Sequence, residues 1–388
     1  MDKYVNIVLT GDNNYVMPMG VAMYSVVKNL NSNSIARFFL LVSGWTEKEE
    51  AEIRKVQNCE IIIIPVEKYL HYFKSADFKK MKLSYIKNLT PYYRLLIPKV
   101  LPQYVDKAFY LDADMVVDYD LSVIYNNFDE KSLLGAVIEL VANAHKETVL
   151  NHLSKWHEFS KFNKDHTKAP YFNAGFFLMN LVEARKLNIF DDFMAFLTKR
   201  PNPPYADQDT LNAICGQKYS DKMVYLDPSY NVFCDMNYDV NTYFKAAYSH
   251  YSIRQSFQNP RVYHYAGANK PWINKEVLHY WDIWNNYYES SPFYKNNDNK
   301  LGRVNKLGRV NKYWLSFCGI PLIRIKKHLD DSTIKTYLFG FLPIFKKYPK
   351  KLKTYILGVP FLEYNNLRIK LFGIPIINIK SLRSNRTL

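Results

Sequence analysis

The N-terminal part of the chain alternates between apolar runs and segments with helical patterns, which constrains the fold more than any other feature. Residues 5–9, 38–42 and 60–65 are mostly apolar and rich in β-branched side chains, which predicts buried strands. Residues 21–30 form an amphipathic stretch, and Thr46 begins a capping-box pattern that opens a helix. Because strands that alternate with helices pair in parallel, the sequence predicts an α/β fold with a Rossmann-like, mostly parallel sheet flanked by helices.

Two carboxylates, Asp112 and Asp114, lie within an apolar run at residues 108–117. In an extended backbone, residues i and i+2 point to the same side, so the pattern predicts that the two carboxylates converge. Two close anions are costly unless a cation lies between them, and oxygen ligands at this spacing suit Mg²⁺ or Mn²⁺ that binds substrate phosphates. A strand that ends in a solvated acidic turn is the alternative for this pattern taken alone.

Polar residues follow the first predicted strand, where ligands bind in sheets of this kind. The segment carries Thr10, Asp12, Asn14 and Tyr15, and Gly11 is its only glycine, so it is not a dinucleotide fingerprint. Asp12 and Asn14 suit hydrogen bonds to a base or a ribose, and Tyr15 suits stacking on a base. An ordinary Asx-rich turn explains the same residues without a ligand.

Two later segments carry further candidates for a binding site. Arg94 lies in the first turns of a predicted helix, where an arginine is usually solvated but suits phosphate recognition if it points into a cleft. Residues 171–180 place small side chains between bulky apolar ones, so either a ligand or a packed helix approaches this backbone closely. Between them, residues 142–170 are polar and rich in His and Lys, which predicts either a long excursion over the site or an insertion made of a loop and a helix.

The last candidates are acids at a helix start and two basic side chains. Asp207, Gln208 and Asp209 open a predicted helix, where the helix dipole alone favours acids. His264 ends a short predicted strand, and a single histidine in such a place is more often structural than a metal ligand. Lys270 follows a glycine turn and could hold a phosphate as a compact charge.

Composition excludes several classes of protein. The 388 residues include four scattered cysteines without a Cys-x-x-Cys pair, which indicates neither zinc nor disulfides and favours a reducing cytoplasm. The N-terminus lacks the basic leader of a secretory signal, and no run approaches the roughly 18 apolar residues of a membrane-spanning helix. The sequence therefore predicts a soluble or peripheral protein.

The excess positive charge lies entirely in the tail. Residues 300–388 carry 19 Lys and Arg against three acids, whereas the preceding residues carry 33 of each sign, so the tail accounts for the whole net charge of +16. This split predicts an anion-seeking appendage on a neutral body rather than a generally nucleic-acid-binding protein. Residues 301–306 recur identically as residues 307–312, which indicates a linker duplication.

A looser repeat follows, in which an apolar Gly-Pro segment lies close to Lys or Arg. Apolar side chains beside basic ones suit a membrane interface with anionic lipids. A partner-binding module or a contact to nucleic acid is the alternative. The glycines of the four copies are Gly319, Gly340, Gly358 and Gly373.

Taken together, these ordered motifs resemble glycosyltransferase family 8, the retaining GT-A transferases that include bacterial lipopolysaccharide and lipooligosaccharide galactosyl- and glucosyltransferases and glycogenin. The resemblance covers residues 4–285. It implies a GT-A catalytic domain at residues 1–285. Outside the shared region, the sequence pattern predicts a linker with the tandem hexapeptide at 286–312 and a basic aromatic tail at 313–388, for which association with a membrane is the favoured interpretation.

The resemblance also implies roles for individual residues. The implied ligands of Mn²⁺, with Mg²⁺ as the alternative, are Asp112, Asp114 and His264. The implied contacts to the UDP part of the donor are Thr10, Asp12, Asn14, Tyr15, Arg94, Ala113, Gly267 and Lys270. The implied contacts to sugars are Asn173, Ala174, Asp207, Gln208 and Glu139, the last of which departs from the aspartate that comparable members tend to carry.

Retention of configuration requires either a covalent intermediate or attack from the face that UDP leaves. The matching family position is Gln208, which is a poor nucleophile. The sequence therefore favours same-face attack, with Gln208 steadying an oxocarbenium-like state, and Asp207 is the fallback nucleophile.

The predicted function is transfer of galactose or glucose from a UDP-sugar to a cell-surface glycan such as lipopolysaccharide, capsule or glycoprotein. The predicted location is the inner face of the cytoplasmic membrane, with no nucleic-acid partner. One alternative is a catalytically idle sugar-nucleotide or glycan-binding module. The other is a metal-dependent nucleotidyltransferase, which would release pyrophosphate instead of UDP.

Overall fold

The computed structural model describes residues 3–73, 89–140, 170–200, 203–235, 248–273 and 278–295, together with eight strands within residues 310–378. The chain divides into two compact units, Met1–Gly302 and Arg303–Leu388. The predicted excursion at residues 142–170, except its last residue, and most of the hexapeptide duplication lie outside the described residues. The predicted limits of the catalytic domain and the linker stay predictions.

The first unit is built on a seven-stranded mixed sheet with the strand order β3-β2-β1-β4-β7-β6-β8. Strand β7 runs antiparallel to β4 and β6, and the other four pairings are parallel. The predicted mostly parallel α/β sheet is therefore confirmed. The strands are β1 Tyr4–Asp12, β2 Ile35–Ser43, β3 Cys59–Pro65, β4 Lys107–Leu111, β5 Met115–Val117, β6 Leu134–Ile138, β7 Phe172–Asn180, β8 Met223–Tyr225, β9 Val232–Phe233 and β10 Val262–His264.

Helices flank this sheet, and several short turns of 3₁₀ helix connect the elements. The α-helices are α1 Val16–Asn29, α2 Glu47–Ile53, α3 Ile97–Val100, α4 Ser122–Asn126, α5 Leu181–Lys186, α6 Ile189–Lys199, α7 Ala206–Leu211, α8 His250–Gln258 and α9 Trp281–Ser290. The predicted capping box is confirmed, since the Thr46 side chain accepts from the backbone of α2 and the Glu49 side chain returns to Thr46.

The apolar runs form strands because the sheet is buried on both faces. Val8 lies in one core cluster with Phe39 and Tyr110, whereas its neighbours Ile7 and Leu9 lie in the other. Successive side chains of a strand point to opposite faces of the sheet. Because both faces of this sheet are buried, consecutive residues of its strands are apolar. The buried central strands therefore fix the positions of the residues that follow them, and the candidate site lies there.

A second, three-stranded sheet has the order β5-β10-β9. Strand β10 runs antiparallel to β5, so that His264 pairs with Met115. The backbone N–H of Tyr265 also donates to the carbonyl of Asp114 at 3.0 Å. This pairing brings the end of β10 beside the two aspartates, although about 150 residues separate them in the sequence.

Two expectations about the chain near the site were wrong in detail. The run 108–117 is not one extended strand: β4 ends at Leu111, and the N–H of Met115 donates to the carbonyl of Asp112 at 3.2 Å, which closes a turn. The turn sends the chain from the large sheet into the small one. Strand β1 continues to Asp12, so Thr10 and Asp12 belong to the strand and not to the loop.

The helix predicted around Arg94 is also divided. Thr90–Leu96 is a 3₁₀ helix and α3 follows it directly. Pro98 has no N–H to donate to the carbonyl of Arg94, which instead accepts from the N–H of Ile97. The tighter turn is therefore a consequence of the proline.

In the described part of the second unit, eight strands follow one another in sequential, antiparallel order. Each proline of the predicted Gly-Pro segments is the second residue of an even-numbered strand, and the register shifts next to it. A residue without an N–H interrupts the ladder, which fits a bulge at these positions. The strands are β11 Val310–Phe317, β12 Ile320–His328, β13 Thr333–Leu338, β14 Leu342–Tyr348, β15 Lys351–Ile356, β16 Val359–Asn365, β17 Arg368–Leu371 and β18 Ile374–Asn378.

Among the described residues, no helix combines the length and the apolar composition that crossing a membrane requires.

Candidate active site

The structure brings together the three residues predicted to bind a metal. Atoms of Asp112, Asp114 and His264 that can act as ligands all lie within 4.8 Å of one another. The Nε2 atom of His264 lies 3.7 Å from Oδ2 of Asp112 and 3.4 Å from Oδ1 of Asp114. The two aspartates come from the turn after β4 and the histidine ends β10, so both sheets are needed to form this cluster.

The cluster fits a divalent metal ion. The Oδ1 atom of Asp114 is buried and has no hydrogen-bond partner among the described residues, which is costly unless a cation satisfies it. Two carboxylate oxygens and one imidazole nitrogen form a ligand set that Mn²⁺ accepts, whereas Mg²⁺ prefers oxygen alone.

The orientation of Asp112 is fixed by donors on the side away from His264. Its Oδ1 atom accepts from Nη2 of Arg94 at 2.8 Å and from the hydroxyl of Tyr110 at 2.7 Å. Thr10 contacts that hydroxyl at 2.9 Å. Burial raises the pKa of Tyr110 well above its usual value, so the phenol keeps its proton and donates. The Oδ2 atom is left facing the cluster.

Asp114 is held by Lys270. The ammonium group is ion-paired with Oδ2 of Asp114 and also donates to the carbonyl of Tyr265 at 3.0 Å. Burial alone would raise the pKa of Asp114, but the charge of Lys270 and its hydrogen bond to the carboxylate act against burial, and the pKa lies below its usual value. Asp114 is therefore a carboxylate at neutral pH.

Arg94 contacts three structural elements of the site. Its buried guanidinium bridges Asp112, Oδ2 of Asp207 at 3.0 Å and the carbonyl of Ala174 at 2.6 Å. It also lies 4.4 Å from the ring centre of Tyr110. These partners belong to the turn after β4, to α7 and to β7. In this structure Arg94 positions other site residues, and its contact to the nucleotide stays a prediction.

Asp207 is buried beside the guanidinium. Burial raises the pKa of Asp207 to about 7, and the charge of Arg94 acts in the opposite direction. Asp209, on the same helix, accepts from the hydroxyl of Tyr171 and from the N–H of Tyr205, each at 2.7 Å. Asp209 therefore holds Tyr171, the residue before β7, and does not line the metal cluster.

Gln208 and Asn173 form a polar pair at the start of β7. The Oε1 atom of Gln208 accepts from the N–H of Ala174 at 2.9 Å and from Nδ2 of Asn173 at 3.1 Å. The same Nδ2 donates to Oε2 of Glu139 at 2.6 Å. An adjoining pocket is lined by Ile138, Glu139, Leu140, Asn173, Asn231, Phe233 and Phe257. The predicted sugar contacts are thus neighbours of one another.

The predicted uridine segment shows the geometry of an Asx turn. The Oδ1 atom of Asp12 accepts from the N–H of Asn14 at 2.9 Å and caps the following 3₁₀ helix. Tyr15 is half-buried and meets Trp272 edge to face, with ring centres 6.1 Å apart. Contacts of these residues to a base stay predictions.

The structure explains why glycine occupies two positions of the site. A Cβ atom on Gly175 would lie 2.6 Å from Cε1 of His264, 2.7 Å from Oδ2 of Asp112 and 2.9 Å from Oδ1 of Asn173. The close approach predicted for this backbone therefore comes from the side chains of the site. Gly267 has a φ of +85°, which side chains rarely adopt. Ala113 is buried in the turn between the aspartates.

Sequence reasoning missed two residues that orient the cluster. Tyr110 lies inside an apolar run, where its hydroxyl gives no sign of a role. Asn231 accepts from or donates to Nδ1 of His264 across 2.8 Å, but it precedes a two-residue strand without any motif. Only the fold places it there.

Comparison with known proteins assigns the chain to a family. The model of the family described as "Glycosyl transferase family 8" matches residues 6–276, and the chain belongs to that family. It is therefore a glycosyltransferase.

The chain is also similar to curated proteins and to solved structures. The chain is 22% identical over 295 residues to General stress protein A of Bacillus subtilis, which covers 74% of this chain and 93% of that protein. It is 25% identical over 290 residues to a lipopolysaccharide 1,2-glucosyltransferase of Escherichia coli, with coverage of 73% and 77%. The galactosyltransferase LgtC, solved with donor and acceptor sugar analogs, superposes with a TM-score of 0.58 at 21% identity and covers 76% of this chain and 100% of that one. The fold is GT-A-like.

Proposed function

We propose that this glycosyltransferase transfers a hexose, galactose or glucose, from a UDP-sugar to a cell-surface glycan with the help of a divalent metal ion. The observation that carries the proposal is the cluster of Asp112, Asp114 and His264, in which a buried carboxylate oxygen has no hydrogen-bond partner among the described residues. The relative in Escherichia coli, a lipopolysaccharide 1,2-glucosyltransferase, supports the substrate class.

The residues around the cluster fit the departure of a diphosphate. A bound Mn²⁺ or Mg²⁺ ion would supply Lewis-acid stabilisation of the charge that develops on the leaving UDP. Lys270 adds a fixed positive charge beside it: burial acts to lower the pKa of Lys270, but Asp114 raises it above its usual value. Tyr110 and Arg94 donate hydrogen bonds to Asp112 and hold its carboxylate in place.

The surroundings of Gln208 and Asp207 support same-face attack with retention. Asp207 is ion-paired with Arg94 and is not a free nucleophile. Gln208 is held by the N–H of Ala174, so it can steady an oxocarbenium-like state without forming a bond to it. Asn173 and Glu139 lie next to Gln208 and would hold sugar hydroxyls.

The donor is tested by incubating the purified protein with a panel of UDP-sugars in Mn²⁺, in Mg²⁺ and in excess EDTA. We expect UDP release with UDP-galactose or UDP-glucose, and about a thousandfold less in EDTA, because several kcal/mol of charge stabilisation are lost. A parallel incubation with UTP and a sugar 1-phosphate would release pyrophosphate if the protein were instead a nucleotidyltransferase. Absence of turnover with every donor, while UDP still binds, would identify an idle binding module.

We further propose that the basic tail holds the enzyme at the anionic inner face of the cytoplasmic membrane, near lipid-linked acceptors. Residues 300–388 carry the whole net charge of +16. Each cation close to such a surface contributes about 1 kcal/mol.

Truncation after Asn299 tests the tail. We expect the full-length protein, but not the truncated one, to sediment with phosphatidylserine vesicles, and we expect salt to release it. Hydrolysis of the donor should be spared, because the core clusters lie within the first unit. A full-length control with Lys346, Lys347, Lys350 and Lys351 changed to glutamine should bind more weakly. Equal partitioning of full-length and truncated protein would contradict the proposal.

A further inference from the structure

Two buried amide side chains connect His264 to the backbone of β7. Nδ1 of His264 lies 2.8 Å from Oδ1 of Asn231, and Nδ2 of Asn231 donates to Oδ1 of Asn173 at 2.8 Å. That Oδ1 atom also accepts from the N–H of Gly175 at 2.9 Å. His264, Asn231 and Asn173 are exposed by 3%, 5% and 8%, so water does not readily replace any of these bonds.

The direction of every hydrogen bond in this series follows from backbone groups. The N–H of Gly175 can only donate, so Asn173 must present its oxygen there and its Nδ2 towards Glu139 and Gln208. The oxygen of Gln208 is fixed in the same way by the N–H of Ala174. Asn231 must then turn its Nδ2 towards Asn173 and its oxygen towards His264.

We propose that Asn231 is a positioning residue that keeps the proton of neutral His264 on Nδ1 and leaves Nε2 free to bind the metal. The inference rests on the proposed metal site at Asp112, Asp114 and His264. A metal binds imidazole through an unprotonated nitrogen, and the partner of the other nitrogen decides which one that is.

The need for Asn231 arises from the two aspartates. Their carboxylates lie 3.4 to 3.7 Å from Nε2, and on their own they would favour a proton on that nitrogen. The structure shows no hydrogen bond there: Oδ1 of Asp114, the nearer oxygen, has no hydrogen-bond partner among the described residues. A hydrogen-bond acceptor beside Nδ1 therefore favours a proton on Nδ1, against the effect of the two carboxylates, and leaves Nε2 unprotonated for the metal.

The test is Mn²⁺ binding, measured from the free-ion electron paramagnetic resonance signal with UDP present and no sugar donor. In Asn231→Leu, the acceptor on Nδ1 is lost, and we expect the dissociation constant of Mn²⁺ to rise about 10- to 100-fold. Asn231→Asp keeps an oxygen towards Nδ1, and we expect its dissociation constant to rise less than about tenfold.

Asn212→Leu is the matched control. Asn212 is also a buried asparagine beside β7 and bonds to the backbone N–H and carbonyl of Phe172 at 2.8 Å, but it has no hydrogen bond to His264. We expect this variant to lose thermal stability and to keep the Mn²⁺ affinity of the unmodified protein.

A second readout follows the proton in the metal-free protein. With ¹⁵N-labelled histidine, the Nε2 resonance that disappears in His264→Gln should have the shift of an unprotonated nitrogen. A protonated Nε2 there overturns the inference, and this measurement decides the matter if Asn231→Leu does not fold.

The measured Mn²⁺ affinities distinguish failure of the role of Asn231 from failure of the proposed metal site. Equal Mn²⁺ affinity of folded Asn231→Leu and the unmodified protein overturns the role of Asn231 alone, as does an equal loss in the aspartate and leucine variants. Failure of the unmodified protein to bind Mn²⁺ overturns the proposed metal site itself.

Discussion

Replacement of Asp114 by asparagine is expected to lower metal-dependent sugar transfer about a thousandfold. The substitution keeps the shape of the side chain but removes the charge of the carboxylate whose Oδ1 atom is buried without a hydrogen-bond partner among the described residues. It also weakens the ion pair with Lys270, so two fixed charges beside the proposed diphosphate leaving group are disturbed together.

The measurement is the rate of UDP release at saturating donor and Mn²⁺, with circular dichroism to show that the variant is folded. Asp129→Asn is the matched control, because Asp129 is exposed and bonds only to its own turn at Lys131 and Ser132 among the described contacts. Undiminished turnover of a folded Asp114→Asn variant would refute the metal assignment.

Gly175→Ala should lower turnover about a hundredfold, although it adds a single methyl group. The new Cβ atom would lie within 2.9 Å of His264, Asp112 and Asn173, and Cβ atoms essentially never make contacts that short. At least one of these groups has to move, and a displacement near 1 Å in a reacting geometry costs about this factor. We also expect weaker Mn²⁺ binding, because two of the three displaced groups are proposed ligands.

The control for this variant is Gly216→Ala. A Cβ atom there would meet Cε1 of Phe172 at 3.3 Å, a contact that a small shift of the ring relieves. We expect a modest loss of stability and unchanged turnover. Turnover of Gly175→Ala within a factor of about three of the unmodified protein would show that the crowding is absorbed outside the site, contrary to this prediction.

The sequence predicted what depends on local patterns. Apolar runs without alternation predicted strands such as β1 to β3, because a sheet covered on both faces permits no polar side. The capping box at Thr46 was equally visible, since its two hydrogen bonds lie within four residues. The aspartate pair was recognised as a candidate site for the same reason.

What could not be predicted depends on pairing between distant segments. His264 reaches Asp114 only because β10 pairs with β5, and no local pattern specifies that pairing. Tyr110 and Asn231 act through a single hydroxyl and a single amide, whose directions are decided by partners far away in the sequence. Arg94 was predicted to contact a phosphate from its residue type. Residue type alone does not reveal that its guanidinium already forms ion pairs with protein carboxylates.

The regular placement of Pro321, Pro343, Pro360 and Pro375 has a consequence for how the tail can change. The four hairpins β11–β12, β13–β14, β15–β16 and β17–β18 repeat the same plan, with a proline at the second residue of the second strand. In sequential order, each strand pairs only with its neighbours, as in solenoid proteins. Whole hairpins can thus be gained or lost by duplication within the gene, and the positive charge of the tail would then change in steps while the catalytic unit keeps its sequence.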